Sequence, residues 1–341
     1  MNNVLNRLPA APDNPPLAGS CPRPYINARP GSFKPMLNRA AFEFTHSLAS
    51  HQLFALPRLA KLADSVIKAK SQAYVICKVA ESTPNAGKQW QNFSEIEKVS
   101  DAIANIDKSG SWVMIGGAQI DPDYQTLLDQ LVNELEDLTS TKLRQEITWI
   151  DAFVYIGSPN SVTHFHIDSE TNLLFQVHGT KEAHLFDQAD RTMVSHTDLE
   201  KFYVGGKNAA TFKPEFEERS KVFDFKSGRG IHIPVNAPHW VKNMDDYSVT
   251  FSVLFYTRPH DARARVYQMN HCLRRLGLDP MPPGISPTKD FLKSRLLQAM
   301  SPRNPKSKED VLSGGISRII AAERSAKAML QRLRPGRTVQ A

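Results

Sequence analysis

The sequence predicts a mainly β domain flanked by helical and mixed segments, and three observations favour this fold class. Past residue 145, apolar and polar residues alternate in short runs bounded by Gly, Pro, Asn or Asp, which is typical of an all-β barrel or sandwich. In the last run Ser248, Thr250 and Ser252 share one face while large apolar residues occupy the other, so we expect a small barrel with a polar interior. On both sides of this region apolar residues recur three and four apart, which predicts helices.

The N-terminal third is expected to precede the barrel and pack on it. Residues 1–35 are rich in Pro, Gly and Asn and poor in large apolar side chains, so they are predicted to form a disordered arm. Residues 36–144 are predicted to form a mixed α/β portion, with a strand over 71–80. The predicted helical runs are 38–70, in which Pro57 can start a new helix, 93–106 and 122–138.

The predicted barrel occupies residues 145–257. Its strand-like runs are TWIDAFVYIG, NLLFQVHG, KEAHLFD, KVFDFKSG, RGIHIP, HWVKN and SVTFSVLFYTR. From residue 258 to 341 the period is helical again. This last segment contains 17 Lys and Arg against 6 Asp and Glu, so it carries about +11 of a total formal charge of +7, and the rest carries about −4.

Two interpretations of the basic C-terminal region stay open. It can recruit an anionic partner such as RNA, a ribosome or an acidic protein, since clustered Lys and Arg attract such partners. The alternative is a set of helices with a solvated basic face, some of which pack in a homodimer. No recognisable zinc finger or chromatin-reading module is found beside the predicted barrel.

Overall composition is that of an ordinary globular protein. The chain has 341 residues, 41% of them hydrophobic and 23% charged. Three widely separated cysteines provide neither a disulfide framework nor a CxxC zinc site. Because there is no basic stretch before an apolar segment and no apolar run approaches the roughly 20 residues that cross a bilayer, a soluble cytoplasmic protein without a membrane segment is expected.

A metal site is predicted from the run SVTHFHID. His166 and Asp168 stand two apart at the edge of a predicted strand, so their side chains point to the same face and can share one metal ion. The best candidate for a third ligand is His239, which opens a strand some seventy residues later. Two histidines and one carboxylate form the facial triad of non-haem Fe(II) oxygenases, which leaves positions open for a co-substrate and dioxygen.

The runs SVTHFHIDSETNLLFQVHGTKEAHLFD, GIHIPVNAPHWVKN and SVTFSVLFY resemble the core of the JmjC and cupin-like 2-oxoglutarate oxygenases, particularly the branch that contains the asparaginyl hydroxylase of hypoxia-inducible factor. The resemblance covers roughly residues 145–257. It implies a double-stranded β-helix, or jelly-roll, with flanking α/β elements and helices. It also implies Fe(II) held by His166, Asp168 and His239, with 2-oxoglutarate and dioxygen as co-substrates.

The same resemblance assigns three co-substrate residues. Lys181, fifteen residues after His166, matches the lysine that pairs with the distal carboxylate of 2-oxoglutarate, and Thr163 matches a threonine that helps hold it. Asn172 matches an asparagine that contacts the co-substrate region. The strand pattern agrees with the lysine's role: it shares a face with apolar residues two and four places on, so its ammonium points inward, where a bound dicarboxylate would neutralise it.

The chain departs from this branch at two places. Leu254 stands where the branch has an asparagine fifteen residues after the distal histidine, and the turn before His239 reads PVNAPH. The first departure weakens the assignment of individual co-substrate contacts, whereas the second is a loop variation. Neither removes a predicted metal ligand.

A rival interpretation uses some of the same residues. Four donors could form the metal site of an ordinary cupin that needs no 2-oxoglutarate: His164, His166, Glu170 and His239. That interpretation leaves Lys181 and Thr163 unexplained. In the oxygenase interpretation His164 instead lines the site as a donor beside the ligands. A third possibility is a barrel that retains metal and co-substrate but only senses or binds.

The predicted activity is hydroxylation of a protein side chain or a small molecule, coupled to oxidative decarboxylation of 2-oxoglutarate to succinate and carbon dioxide. Residues 188–220 are charged and contain Gly, and are expected to lie over the barrel mouth as a specificity loop. The identity of the primary substrate does not follow from the sequence.

Overall fold

The computed structural model describes residues 24–69, 74–84, 99–206, 211–301 and 315–319. These residues belong to two compact units. The larger unit ends at Ser195 in its first part and runs up to Arg258 in its second part. The smaller unit contains His196–Gly206 and the described residues from Pro259 onward.

Strands dominate the larger unit. They are β1 (Ile26–Asn27), β2 (Phe42–His46), β3 (Tyr74–Val79), β4 (Ser111–Gly116), β5 (Ile147–Gly157), β6 (Val162–His166), β7 (Thr171–His178), β8 (Thr180–Leu185), β9 (Lys221–Lys226), β10 (Arg229–Ile233), β11 (His239–Asn243) and β12 (Ser248–Thr257). Its helices are α1 (Leu56–Ala69), α2 (Val99–Ala104), α3 (Pro122–Thr139) and α4 (Leu143–Glu146). The helices α5 (His196–Phe202), α6 (Arg258–Arg275) and α7 (Pro287–Met300) follow.

The strands form two antiparallel sheets. The large sheet has the order β1-β2-β10-β7-β12-β5-β4-β3, and the small sheet has the order β6-β11-β8-β9. From β5 to β12 the chain passes repeatedly between the sheets, with β5, β7, β10 and β12 in the large one and the other four in the small one. This is the strand arrangement of a jelly-roll, so the predicted fold class is confirmed.

Hydrophobic side chains fill both faces of the large sheet. The outer face packs on the helices: Val249, Phe251, Val253 and Phe255 of β12 belong to the same cluster as Leu59, Leu62, Leu128 and Leu131. A second cluster lies between the two sheets and combines Leu174, Ile231 and Ile233 of the large sheet with Ala183, Leu185, Phe223, Phe225 and Val241 of the small sheet. The second cluster identifies which strand faces point into the barrel.

The polar face of β12 points into this interior, as its alternation predicts. Thr250 Oγ1 donates to Gln176 Oε1 at 2.7 Å, and Gln176 Nε2 donates to Ser248 Oγ at 2.9 Å. Ser252 Oγ donates to Asn172 Oδ1 at 2.8 Å. Polar partners on the neighbouring strand β7 therefore compensate for burying these hydroxyl groups.

The predicted disordered arm is wrong for residues 24–35, whereas residues 1–23 lie outside the described part. Ile26 pairs with β2, and both Ile26 and Phe33 are buried in the core. The backbone N–H groups of Tyr25 and Ile26 donate to the Glu134 carboxylate at 2.9 and 2.8 Å. Two buried apolar side chains and a charged acceptor on α3 outweigh the loop-like composition.

The helix predicted over 38–70 is wrong for its first part, where β2 forms. Buried Phe42, Phe44 and His46 alternate with exposed Glu43 and Thr45, so the run has a period of two. It pairs with the free edge of β10. The helix α1 begins only at Leu56, where Pro57 occupies its first turn as expected.

The sequence interpretation also missed β4, because this strand is buried on both faces and has no alternation. The strand over 71–80 is confirmed for Tyr74–Val79, and the helix over 122–138 is confirmed as α3. Helix α2 is shorter than predicted, and residues 91–98 lie outside the described part. All of the predicted barrel strands form.

The helical period predicted beyond residue 258 forms as α6 and α7, while residues 302–314 and 320–341 lie outside the described part. In the smaller unit, buried Glu200 accepts two hydrogen bonds from Arg274 Nε, at 2.9 and 3.1 Å. This pair joins α5 to α6. Within the described ranges, no helix has both the length and the apolar character that crossing a bilayer requires.

Candidate metal centre

His166, Asp168 and His239 come together where β6 ends and the neighbouring strand β11 begins. His166 and His239 are direct partners in the β6–β11 ladder, and their ring centroids lie 4.2 Å apart. Asp168 Oδ1 lies 3.7 Å from His166 Nε2, and Asp168 Oδ2 lies 3.7 Å from His239 Nε2. One donor atom from each residue lies within 4.8 Å of the others, which holds for no other trio of His, Cys, Asp or Glu in the described residues.

Backbone carbonyl groups orient both imidazole rings. His166 Nδ1 lies 2.7 Å from the carbonyl oxygen of His164, and His239 Nδ1 lies 3.0 Å from that of Ala237. Because a carbonyl oxygen only accepts, each Nδ1 carries a proton, and each Nε2, which faces Asp168, is the nitrogen that a metal could bind. Fixing the tautomer in this way is what holds histidines ready to bind a metal.

The carboxylate of Asp168 is held from a different direction. Asn172 Nδ2 donates to Asp168 Oδ2 at 3.4 Å, and Asn172 Oδ1 accepts from Ser252 Oγ at 2.8 Å. The backbone oxygen of Asp168 accepts from the N–H of Asn236 at 2.9 Å. Asn172 therefore lies behind Asp168, a candidate metal ligand, in a position that the resemblance did not assign to it.

The electrostatics of the trio suit a divalent cation. Burial, together with nearby His166, lowers the pKa of His239 to about 4, so its imidazole is neutral at neutral pH. Two imidazole nitrogens and one carboxylate are then available on one side of a common point. Such a donor set leaves other coordination positions to molecules from outside the protein, as in non-haem Fe(II) sites.

A bulge in β6 brings Thr163 onto the same face as His166. His239 is opposite His166 and Val241 is opposite Thr163, so between these two pairs β6 has two residues where β11 has one. Directly opposed residues share a face, and Val241 belongs to the interior cluster. Thr163 therefore points into the barrel, although simple alternation would turn it away from His166.

Lys181 also points into the barrel. In β8 it shares a face with Ala183 and Leu185 of the interior cluster, and its side chain is 8% exposed. Within the described residues, its ammonium has neither a carboxylate nor a hydrogen-bond partner, and burial lowers the pKa of Lys181 to about 7. The interior therefore contains a positively charged side chain, and an anionic ligand would neutralise it.

The ordinary-cupin donor set does not assemble. The trio that gathers contains neither His164 nor Glu170. The bulge directs His164 toward Glu81, with Nδ1 3.8 Å from Glu81 Oε2, and its ring centroid is 5.7 Å from that of His166. Glu170 Oε2 accepts from Ser169 Oγ at 2.9 Å instead. His164 thus lies beside the candidate ligands and is not one of them.

The predicted specificity loop lies elsewhere for part of its length. In the 3₁₀ helix Pro214–Arg219, Glu217 Oε1 is 2.5 Å from His184 Nδ1, and Glu217 Oε2 accepts from Trp240 Nε1 at 3.2 Å. His184 and Trp240 stack on the outer face of the small sheet, at 3.8 Å between ring centroids. These residues therefore cover the outside of the barrel rather than its mouth, while 207–210 lie outside the described part.

Comparison with known proteins identifies the domain. The sequence profile of the cupin-like domain matches residues 63–261, more than half of the chain. The chain belongs to the cupin-like domain family. The matched range covers β3 to β12, and therefore the whole small sheet, the large sheet except β1 and β2, and all three members of the His166, Asp168 and His239 trio.

Parts of this chain are also similar to individual known proteins. A JmjC domain-containing protein A from Dictyostelium discoideum is 31% identical over 99 residues, which is 27% of this chain and 39% of that protein. The X-ray structure of Escherichia coli YcfD aligns over 79% of this chain and 66% of that chain, with 14% identity and a TM-score of 0.44. YcfD with cobalt and 2-oxoglutarate, described as a ribosomal oxygenase, aligns over 85% and 64%, with 13% identity and a TM-score of 0.41. The chain thus spans less than two thirds of these relatives.

Sequence reasoning missed two charged residues at the seam of the cupin-like barrel. Lys78 in β3 and Glu81 just after it lie beside His164, although about eighty residues separate them from β6. No spacing rule connects a residue before the barrel to a residue inside it. Only the bridge between Glu81 and Val162, which joins the end of β3 to β6, brings them together.

Proposed function

We propose that this protein is an Fe(II)- and 2-oxoglutarate-dependent oxygenase. His166, Asp168 and His239 hold the iron, and Lys181 and Thr163 bind the distal carboxylate of 2-oxoglutarate. The observation that carries the proposal is the ammonium of Lys181, which lies inside the same barrel as the trio and has neither a carboxylate nor a hydrogen-bond partner among the described residues. A metal-only barrel has no use for a buried cation, whereas a dicarboxylate that reaches from the metal into the barrel neutralises it.

Iron with bound 2-oxoglutarate supplies the oxidising chemistry, which couples decarboxylation to succinate and carbon dioxide with oxidation of a substrate. The protein's own residues bind and orient. Lys181 forms a charge-assisted bond to the carboxylate and Thr163 adds a hydroxyl donor. Asn172 keeps the Asp168 carboxylate turned toward the two imidazoles, and the apolar cluster between the two sheets excludes water from the buried end of the co-substrate.

The type of reaction and the branch of the oxygenase family are proposed on the basis of the sequence resemblance. The name of the Dictyostelium relative refers to the JmjC domain. The spacing of Thr163, His166, Lys181 and Asn172 in this chain resembles the spacing of the corresponding residues in that family. We extend the proposal to hydroxylation of a protein side chain or a small molecule, in the branch that contains the asparaginyl hydroxylase. Leu254, which packs against Trp112 and Phe153, makes this site more apolar than that branch at one position.

An anaerobic titration tests the proposal. The purified protein receives Fe(II) and then 2-oxoglutarate, and the visible metal-to-ligand charge-transfer band is recorded. We expect the band only with both components, its loss in Asp168→Ala, and its retention in the control His178→Asn, which changes a histidine whose side chain is 42% exposed at the end of β7. Iron binding without a band in the wild type would contradict the proposal and favour a metal-binding barrel that does not use the keto acid.

A further inference from the structure

Lys78, Glu81 and His164 form a polar group beside the candidate metal ligands that neither metal nor co-substrate requires. Lys78 Nζ donates to Glu81 Oε1 at 2.8 Å, and Glu81 Oε2 lies 3.8 Å from His164 Nδ1. The ring of His164 is 5.7 Å from that of His166. We refer to these three residues as the Glu81 group.

Backbone pairing fixes the Glu81 group at the seam between the two sheets. Lys78 is opposite Trp112 in the β3–β4 ladder, and its ammonium lies 5.1 Å from the centre of the Trp112 ring. Glu81 forms a bridge with Val162, whose N–H donates to the Glu81 carbonyl at 2.7 Å. The end of β3 in the large sheet thus lies along β6 of the small sheet, immediately before its bulge.

One carboxylate oxygen of Glu81 lacks a donor. Oε1 accepts from Lys78, but Oε2 is buried and has no hydrogen-bond partner in the described part of the chain. The 3.8 Å separation from His164 Nδ1 is too long for a hydrogen bond. A buried acceptor without a donor is costly, and at a functional site it indicates a position that a ligand completes.

The surroundings of Oε2 restrict the ligand. Lys78 already offsets the charge of Glu81, so a cationic ligand would meet the Lys78 ammonium while gaining little from the paired carboxylate. A neutral N–H group gains the hydrogen bond without that repulsion. Next to Lys78, buried Trp112, Phe153 and Leu254 form an apolar wall on the inner face of the large sheet, which suits the carbon atoms that carry such a group.

We propose that the Glu81 group binds the primary substrate by accepting a hydrogen bond from a neutral nitrogen group, such as a side-chain amide, while the Trp112 wall contacts its carbon atoms. This inference rests on the proposed function, because it places the substrate beside His166. His164 separates Glu81 from the metal ligand, so a group bound to Oε2 lies at the edge of the site where oxidation would occur.

The test compares three capped amino acids of similar length: the N-acetyl N-methylamides of glutamine, arginine and methionine. Their backbone groups are identical, so differences in affinity report the side chain. Each is titrated against protein loaded with Zn(II) and 2-oxoglutarate, and binding is followed by saturation-transfer NMR. We expect the glutamine compound to bind about tenfold more tightly than the other two, the difference that one hydrogen bond to a carboxylate makes.

Two variants and one control accompany the titration. Glu81→Gln is expected to remove the preference for the glutamine compound. The double variant Lys78→Met/Glu81→Gln should do the same without leaving a buried, unpaired ammonium, so it replaces the single variant if that one fails to fold. Glu43→Gln makes the same chemical change on the exposed side of β2 and should leave the preference unchanged.

Three outcomes would overturn the inference: a preference that persists in both Glu81 variants, a preference for the arginine compound, or no binding of any compound to a protein that shows the charge-transfer band. Absence of that band in the wild type is a different result. It would overturn the proposed function, and this inference with it, so the two failures are distinguishable.

Discussion

Lys181 and Asn243 are direct partners in the β8–β11 ladder, and both point into the barrel, but of the two side chains only that of Asn243 has hydrogen bonds to other described residues. Asn243 Nδ2 donates to the Ser158 carbonyl at 2.9 Å and to Ser161 Oγ at 2.8 Å. The ammonium of Lys181 has no such partner in the described residues. A fold that provides for a neutral amide yet leaves the neighbouring cation unpaired has stability to gain from an anionic ligand.

Replacing Lys181 with methionine should weaken the binding of 2-oxoglutarate but raise the stability of the free protein. Methionine has a similar length and no charge, so we expect the dissociation constant for 2-oxoglutarate to rise about 100-fold or more because a charge-assisted bond is lost. The protein without co-substrate should become more stable, by about 1–2 kcal/mol, because a desolvated amine is removed. The charge-transfer titration measures the first effect and urea unfolding the second.

Lys226→Met serves as the control for this prediction, because Lys226 lies on β9 with a side chain that is 53% exposed and pairs with Asp224. It should change neither quantity by much. Unchanged 2-oxoglutarate affinity in Lys181→Met would contradict the assigned role of the lysine.

Binding of 2-oxoglutarate should weaken as the pH rises above 7. Burial lowers the pKa of Lys181 from its ordinary value to about 7, so in the free protein the amine loses its proton above that pH. The dianion needs the ammonium form, and binding therefore takes up a proton there. We expect the affinity to fall by up to about tenfold per pH unit above 7, and to be nearly flat below it.

The lowered pKa of Lys181 also makes the stability of the free protein depend on pH. The unfolded chain holds this proton up to a higher pH than the folded chain, so between pH 7 and the ordinary lysine pKa the free protein should gain stability as the pH rises. Lys181→Met should abolish both slopes. A wild-type affinity that is independent of pH from 7 to 9 would show that the amine does not titrate in this range.

Sequence alone predicts the parts of the molecule that depend on local pattern. The period-two runs identify the barrel strands, and the spacing of two between His166 and Asp168 at a strand edge predicts that their side chains lie close together, as they do in the structure. The inward direction of Lys181 follows from the same alternation. The inward direction of Thr163 does not, because it depends on a bulge that appears only when β6 pairs with β11.

Elements at the margins of the barrel were harder to predict for another physical reason. The run Phe42–His46 has strand alternation, but it becomes a strand only because β10 offers an edge, and Ile26 becomes ordered only because β2 is there. Glu81 lies near His164 only because the residues after β3 pair with β6. In each case the decisive partner is distant in sequence, and tertiary pairing overrides local composition.

Asn172→Ala should weaken metal binding without removing a ligand. Asn172 Nδ2 donates to Asp168 Oδ2, and its oxygen is fixed by Ser252. Loss of an outer partner of a ligand typically costs 10–100-fold in metal affinity, and we expect about this loss for Fe(II) measured by anaerobic competition with a chromogenic chelator. Ser252→Ala should show a smaller effect in the same direction. Full iron affinity in Asn172→Ala would mean that Asp168 is held by its backbone alone.

Gly157 should be needed for the arrangement of Asn243. A Cβ atom at residue 157 would lie 2.6 Å from Asn243 Nδ2 and 2.8 Å from Ser161 Oγ, closer than such atoms approach in proteins. Gly157→Ala therefore has to displace the Asn243 amide and break its hydrogen bonds, and we expect it to lower the free energy of unfolding by about 1–3 kcal/mol.

A double-mutant cycle isolates this contact. In an Asn243→Ala background the closest colliding atom is gone, so Gly157→Ala should cost about 1 kcal/mol less there than in the wild type, measured by urea unfolding. Strictly additive effects would mean that the added methyl group is accommodated elsewhere. A positive coupling would show that the glycine is retained so that Asn243 can hold its bonds to Ser158 and Ser161 next to Lys181, and thus shapes the wall of the candidate co-substrate site.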